Sequence, residues 1–400
     1  MRWLCLGGPG LALLTAFCLT GCASLPRDAV PPAYADQAAV LEGAEVRFWG
    51  DRAPDDMSAL AAEKWAQVRA NRPELLKKSR RPVISFLAVS GGGSDGAFGA
   101  GLLVGWTARG DRPEFEIVTG ISTGALTAPF AFLGPRYDPA LRSVYTTYST
   151  SQLVTKQPVR GLLGGSALSS NAPLARVIAS YVTEDFMREV AHEHSRGRRL
   201  LIGTTNLDAQ RPVIWDMGKI ASSGDPEALA LFRNVLLASA AIPGVFPPVY
   251  IKVQVNGQVR EEMHVDGGTT NQVFLLPTQI RTGTADAKLG INPIRRLYII
   301  RNGRVAPEFK VVKSSTLAIA GRSISTLIKT QGIGDLYQLY EFARSNGVAY
   351  NLAYIPGDFP DTSTEAFDPA YMSKLFDLGV ELGQSGGAWK KTPPRLGNPS

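Results

Sequence analysis

Two stretches of this chain carry residue types that could act on a carbonyl. In Gly120-Ile121-Ser122-Thr123-Gly124 a serine has glycine two residues away on either side. Without a Cβ, those glycines let the backbone crowd through a strand-to-helix corner and leave the serine hydroxyl presented as a nucleophile. The spacing alone is weak, because Gly92-Gly93-Ser94-Asp95-Gly96 fits the same template. Context separates the two. Ser122 directly follows an apolar, strand-like run over 115–120, whereas Ser94 follows a glycine run and precedes a helical pattern, where serine commonly serves as a cap. Ser122 is therefore the candidate nucleophile. The glycine run Gly91-Gly92-Gly93 can turn successive N–H groups to one side, and the helix behind it adds its positive end. That is a cradle for an oxyanion. No lysine follows it as a phosphate loop requires. Gly91, Gly93 and Gly96 also fit the dinucleotide spacing G-x-G-x-x-G, but a lone match carries little.

The hydroxyl needs a base, and the choice is narrow. The histidines are His192, His194 and His264. His192-Glu193-His194 reads as a solvated helix end and lacks the H-E-x-x-H spacing of a metal site. His264 and Asp266 lie at a strand end, two residues apart and so on one face. His264 could complete a triad; alternatively Asp266, followed by two glycines, could serve alone if burial raises its affinity for a proton.

These residues need elements to carry them. Residues 82–90 read as a buried parallel strand, 96–106 as a helix of small residues, and 115–120 as a second strand. A right-handed βαβ unit sets the glycine run and Ser122 at one carboxyl edge of a sheet. Further along, 198–205 and 213–215 read as paired strands, 229–240 as a helix, and 295–303 as a core strand. Leu317, Ile324, Leu327 and Ile328 form a helical stripe that Leu336, Leu339 and Tyr340 continue after an interruption at Gly332-Ile333-Gly334; such a stripe is expected to pack on the sheet, with a lipid-facing lid as the alternative. Residues 46–49 suggest an edge strand, Asp55-Asp56 a cap for a helix ending near Asn71, 161–166 a mobile loop, and 351–356 a last strand.

In this order, Gly91-Gly92-Gly93 with Gly96, Gly120-Ile121-Ser122-Thr123-Gly124, and Asp266-Gly267-Gly268 resemble the signatures of the patatin-like phospholipases. Gly203-Thr204-Thr205-Asn206-Leu207-Asp208 and the stretch from Ala238 to Pro248 resemble the same family, over about 82–303. The resemblance implies a three-layer α/β/α fold with a mostly parallel central sheet. It further implies a catalytic Ser122–Asp266 dyad, an oxyanion hole from the backbone of Gly91, Gly92 and Gly93, elbow glycines Gly120 and Gly124, no metal or other cofactor, and no catalytic histidine. Phospholipids or other lipid esters are the implied substrates. One position departs from the pattern: where the family usually carries Arg or Lys before the last glycine of its loop, this chain has Asp95. A carboxylate aimed into the cradle would repel the oxyanion. The expectation is instead that Asp95, with Ser94, caps the following helix. A non-catalytic envelope scaffold is the competing class.

The ends of the chain concern address rather than catalysis. Arg2 and the apolar run 11–17 resemble an export leader, and Leu19-Thr20-Gly21-Cys22 resembles a lipobox, with cleavage before Cys22 and lipid attached to it. Ala23 favours the outer membrane. The three cysteines, Cys5, Cys18 and Cys22, all lie at or before that point, so no pair remains for a disulfide. A formal charge of +7 over 400 residues is mild, and no basic block interleaved with aromatics points to nucleic acid. The expected organisation is a leader at 1–21, a tether and N-terminal helix at 22–80, an acyl hydrolase domain at 81–382 and a disordered tail at 383–400.

Overall fold

The computed structural model describes residues 27–77, 81–156, 167, 169–276 and 290–394. The leader, Cys22 and the loop expected at 161–166 lie outside the described residues. Nine strands form the main sheet: β1 (Arg47–Trp49), β2 (Val83–Val89), β3 (Phe115–Ile121), β4 (Arg199–Asn206), β5 (Arg211–Asp216), β6 (Val249–Val255), β7 (Gln258–Asp266), β8 (Ile294–Arg301) and β9 (Ala349–Tyr354). The order is β1-β5-β4-β3-β2-β8-β9, with β7 pairing β4 and β6. The five strands from β4 to β9 in that order are parallel, while β1, β5, β6 and β7 join antiparallel. The central strands β3 and β4 are buried along their whole length. Strands covered on both faces are built from continuous apolar and β-branched runs, as 83–89 and 115–121 are.

The helices that matter for the site are α1 (Met57–Asn71), α2 (Gly96–Arg109), α3 (Thr123–Leu133), α4 (Asp138–Thr146), α5 (Ala172–Tyr181), α6 (Glu184–Ser195), α7 (Met217–Ser222), α8 (Ala228–Ser239), α9 (Thr316–Ser345) and α10 (Pro369–Ser385). On one face of the sheet, Phe98 and Leu102 of α2, Phe132 of α3, Phe232 and Val235 of α8, and Phe376 of α10 join one apolar cluster. On the other face, Leu336, Leu339 and Phe342 of α9 pack against Phe86, Ile117, Leu297 and Ile299. The result is the three-layer α/β/α arrangement with a mostly parallel central sheet.

Four expectations change. α9 runs unbroken through Gly332 and Gly334, and only its second half packs on the sheet; Ile324 and Leu327 are exposed. The tail expected from 383 is ordered to 394: α10 runs to Ser385, Lys390 pairs with Leu352, and Trp389 stacks near Trp106 and Tyr298. His194 is buried, not solvated, because α6 leans its last turn on Gly218 of α7. Asp56 stands at the N-terminus of α1, yet its side chain makes no capping bond and its backbone lies outside the extended region a cap uses.

Candidate active site

Ser122 sits where β3 turns into α3, with φ 57° and ψ −126°. A non-glycine residue at positive φ is strained, and the surroundings must hold it there. They do so by close approach. A Cβ on Gly120 would lie 2.4 Å from the Gly124 carbonyl oxygen, and one on Gly124 would lie 2.3 Å from that of Val89. The corner is therefore closed to any larger residue at either glycine. Its backbone is also tied down: the Ser122 N–H donates to Ser239 Oγ at 3.0 Å, and that hydroxyl donates to the Gly203 carbonyl at 2.6 Å.

Asp266 ends β7 opposite Thr204 of β4. Its N–H donates to the Ala241 carbonyl at 3.0 Å, so the stretch 239–241 holds both corners. The Ser122 side chain lies near enough to the Asp266 carboxylate to favour its charged form, and the Gly268 N–H donates to that carboxylate at 2.7 Å. Burial pushes the carboxyl up to about 7, against the opposing pull of those two groups. A proton acceptor near neutrality therefore stands beside the corner serine.

The glycine loop lies against the same corner. A Cβ on Gly91 would meet Ser122 Cβ at 3.1 Å, and one on Gly92 would overlap the Asn302 carbonyl. Gly93 has φ 57° and lines the cleft beside Ser122. The expected trio of donors is reduced to two, because the Gly91 N–H is spent on the Gln272 carbonyl at 3.1 Å. Among the described residues nothing accepts from the N–H groups of Gly92 and Gly93. Below the loop, the buried Arg301 guanidinium donates to Ser90 Oγ and the Gly91 carbonyl, and Asn302 donates to Ser90 and accepts from the Gly99 N–H. The N-termini of α2 and α3 both begin at this spot, which favours negative charge there.

Asp95 does not cap α2. Its own backbone is already helical, at φ −66° and ψ −11°, so the side chain cannot swing back to the first free N–H groups. Its carboxylate instead accepts from the Tyr371 hydroxyl of α10 at 2.7 Å. Burial raises it to about 6, while that bond and the nearby Arg304 pull the other way.

His264 has no part at the corner. Its Nδ1 lies 2.9 Å from Thr204 Oγ1, which also accepts from Trp215 Nε1, and its Nε2 lies 3.0 Å from the Glu262 carboxylate that Arg47 pairs with. Both ring nitrogens are committed, and the triad alternative lapses. From Gly93, Ser122 and Thr123 a cleft runs past Leu126, Phe130, Ile178 and Phe246, with an almost wholly apolar lining. Ser239, Gln272, Arg301 and Asn302 were not singled out from the sequence; only the resemblance over 238–248 hinted at Ser239.

Residues 87–278 match the family model described as patatin-like phospholipase. The chain carries a patatin-like phospholipase domain. The match supports a lipid hydrolase. It spans Ser122, Asp266, the glycine loop, Ser239 and Gln272, but not Arg301 and Asn302, which stand on the last residue of β8 and just beyond it, nor Arg304 and Tyr371. No curated protein matches this chain in sequence. Among solved structures it is similar to VipD from Legionella pneumophila, at 10% identity and TM-score 0.37, over 76% of this chain and 67% of that one. It is also similar to human GIVD cytosolic phospholipase A2, at 10% identity and TM-score 0.35, over 86% of this chain and 65% of that one. The chain thus spans about two thirds of the length of each.

Proposed function

We propose that the patatin-like domain is a serine lipid acyl hydrolase working through Ser122 and Asp266. The observation that carries this reading is the strained Ser122 corner at the end of an apolar cleft, beside a buried carboxyl held near neutrality. The Ser122 oxygen attacks the ester carbonyl carbon as its proton passes to Asp266. The oxyanion forms against the free N–H groups of Gly92 and Gly93 and the two helix N-termini. Collapse breaks the ester bond, and Asp266 returns the proton to the departing alcohol. Water then attacks the acyl-enzyme with Asp266 again accepting the proton, which frees the fatty acid and restores the hydroxyl. The apolar cleft suits an acyl chain, so phospholipids or other lipid esters are the substrates this geometry fits.

Address belongs to the same proposal. Leu19-Thr20-Gly21-Cys22 supports lipid attachment at Cys22 and a place in the cell envelope, with Ala23 favouring the outer membrane. The test of catalysis is turnover of a chromogenic short-chain ester by purified protein. Ser122→Ala and Asp266→Asn are expected to lose at least about a thousandfold, as removal of a nucleophile or its base does elsewhere, with Ser94→Ala close to the parent. The absence of turnover on any ester would favour a binding scaffold instead. Asp95 no longer argues for that reading, since its carboxylate accepts from Tyr371 and lies near Arg304.

A further inference from the structure

The first half of α9 stands clear of the molecule. Gln331 donates to the Thr270 carbonyl, and a Cβ on Gly332 would lie 3.1 Å from Arg301 Nη2, so this turn of the helix is level with the carboxyl edge of the sheet. At about 1.5 Å per residue, 316–330 extend roughly 22 Å beyond that edge. The segment 305–315 runs back beside the helix, fastened by Lys329 to Glu308 and the Ala306 carbonyl and by Arg322 to the Glu308 carbonyl. Large apolar side chains on this arm face water: Phe309 is 96% exposed, Val311 81% and Leu327 69%, with Ile319 and Ile324 above half. So many exposed apolar side chains gathered on one arm mark a surface that something covers.

The charge beside it says what. Over 305–330 there are four basic residues, Lys310, Lys313, Arg322 and Lys329, against the single acidic Glu308. Lysines are depleted from protein–protein interfaces, whereas apolar side chains flanked by lysine suit the boundary between acyl chains and anionic head groups. Among the described residues no helix is long and apolar enough to cross a membrane.

We propose that residues 305–330 form a membrane-docking arm that seats the carboxyl edge of the sheet, and with it the Ser122 cleft, on an anionic phospholipid surface. The inference deepens the lipid hydrolase reading and rests on it for the location of the substrate, while docking itself can be read without turnover. The test uses the chain from residue 22 onward, without the leader and carrying Cys22→Ser, so that neither a lipid nor the leader anchors it. It compares this parent with Phe309→Glu/Leu327→Glu and with Lys310→Glu/Lys313→Glu. Flotation is measured with vesicles of phosphatidylcholine alone and of phosphatidylcholine with phosphatidylglycerol, beside turnover of vesicle phospholipid and of a soluble short-chain ester.

The parent is expected to float with the anionic vesicles. Both double variants are expected to lose at least about tenfold in binding and in vesicle turnover, with soluble-ester turnover within about twofold of the parent. Variants that float as well as the parent overturn the proposal. So does a parent that hydrolyses the soluble ester yet binds neither vesicle. A parent that binds vesicles but hydrolyses nothing leaves docking supported and removes the hydrolase reading. If the variants instead abolish self-association seen by sedimentation and leave flotation untouched, the arm is an interface between two copies and docking is refuted.

Discussion

At the level of single residues the site turns on Asp266. In the proposed mechanism its carboxyl must be ionised to accept the Ser122 proton, so with a folded value of about 7 the expected kcat/KM rises with pH through neutrality and levels off above it. A profile flat from pH 5 to 9 would contradict its role as the base. The same shift has a stability consequence. The unfolded carboxyl titrates near 3.9, so the folded state binds the extra proton between that value and 7. The favourable contribution is complete below about pH 4 and is lost as pH rises through 7, where the protein holds a buried charge. Asp266→Asn is therefore expected to melt higher than the parent at pH 8, by up to the order of 4 kcal/mol, with the difference vanishing near pH 4. Ser239 gives a second prediction. Ser239→Ala leaves the Ser122 N–H without its partner at a strained corner. Stability should fall by about 1–3 kcal/mol and kcat by more than KM changes, measured by melting and by ester kinetics. The sequence displayed Ser122 and Asp266 because glycines at fixed spacing accompany both. Ser239, Gln272 and Asn302 were not legible in it, since they hold backbone groups contributed by distant segments. Asp95 was misread for a local reason: capping depends on the φ and ψ of the capping residue, which composition does not reveal.

The elements were legible wherever a single run fixes burial on both faces. β2 and β3 fall where continuous apolar runs put them, and their parallel register follows from the helix between them. What could not be read was the partner of α2. Its glycines look merely permissive in the sequence, but they admit α10 to backbone contact. A Cβ on Gly101 would lie 2.0 Å from the Phe376 carbonyl oxygen, and one on Gly379 would lie 2.4 Å from that of Phe98. These two helices are separated by most of the chain, so no local pattern links them. The consequence is that the C-terminal segment belongs to the core next to the glycine loop, with Tyr371 reaching Asp95. Gly101→Val is expected to destabilise by about 3 kcal/mol or more, because backbone rather than a flexible side chain blocks the added atoms. Thermal melting reads this directly, and a change below 0.5 kcal/mol, roughly the level of a surface substitution, would contradict the packing. Truncation after Leu382, harmless to a disordered tail, should also lower the melting temperature, because it removes Trp389 from its contacts with Trp106 and Tyr298.

For the whole molecule, the question is which way the site faces. The described chain begins at Arg27, which pairs with Asp208 in the turn after β4, and Asp208 also accepts from the Met263 N–H, three residues before Asp266. The N-terminal segment therefore enters at the carboxyl edge that carries Ser122 and from which α9 projects. Five Cα–Cα steps lead from Cys22 to Arg27, a reach of at most about 18 Å. A lipid on Cys22 would hold this edge at the bilayer, where a short tether keeps the local concentration of membrane lipid high. The expectation of a leader and a lipidated Cys22 rests on local signals alone. The common edge was not legible in the sequence, because it arises from strand order and from a salt bridge between segments far apart in the chain. The proposal is tested by lengthening the tether. Insertion of about 20 Gly/Ser residues between Cys22 and Arg27 frees the edge from the membrane without touching the fold. Turnover of phospholipid by the lipidated protein in reconstituted vesicles is then expected to fall several-fold, while turnover of a soluble ester stays constant. Equal vesicle turnover with the short and the long tether would show that the anchor only retains the protein and does not orient it.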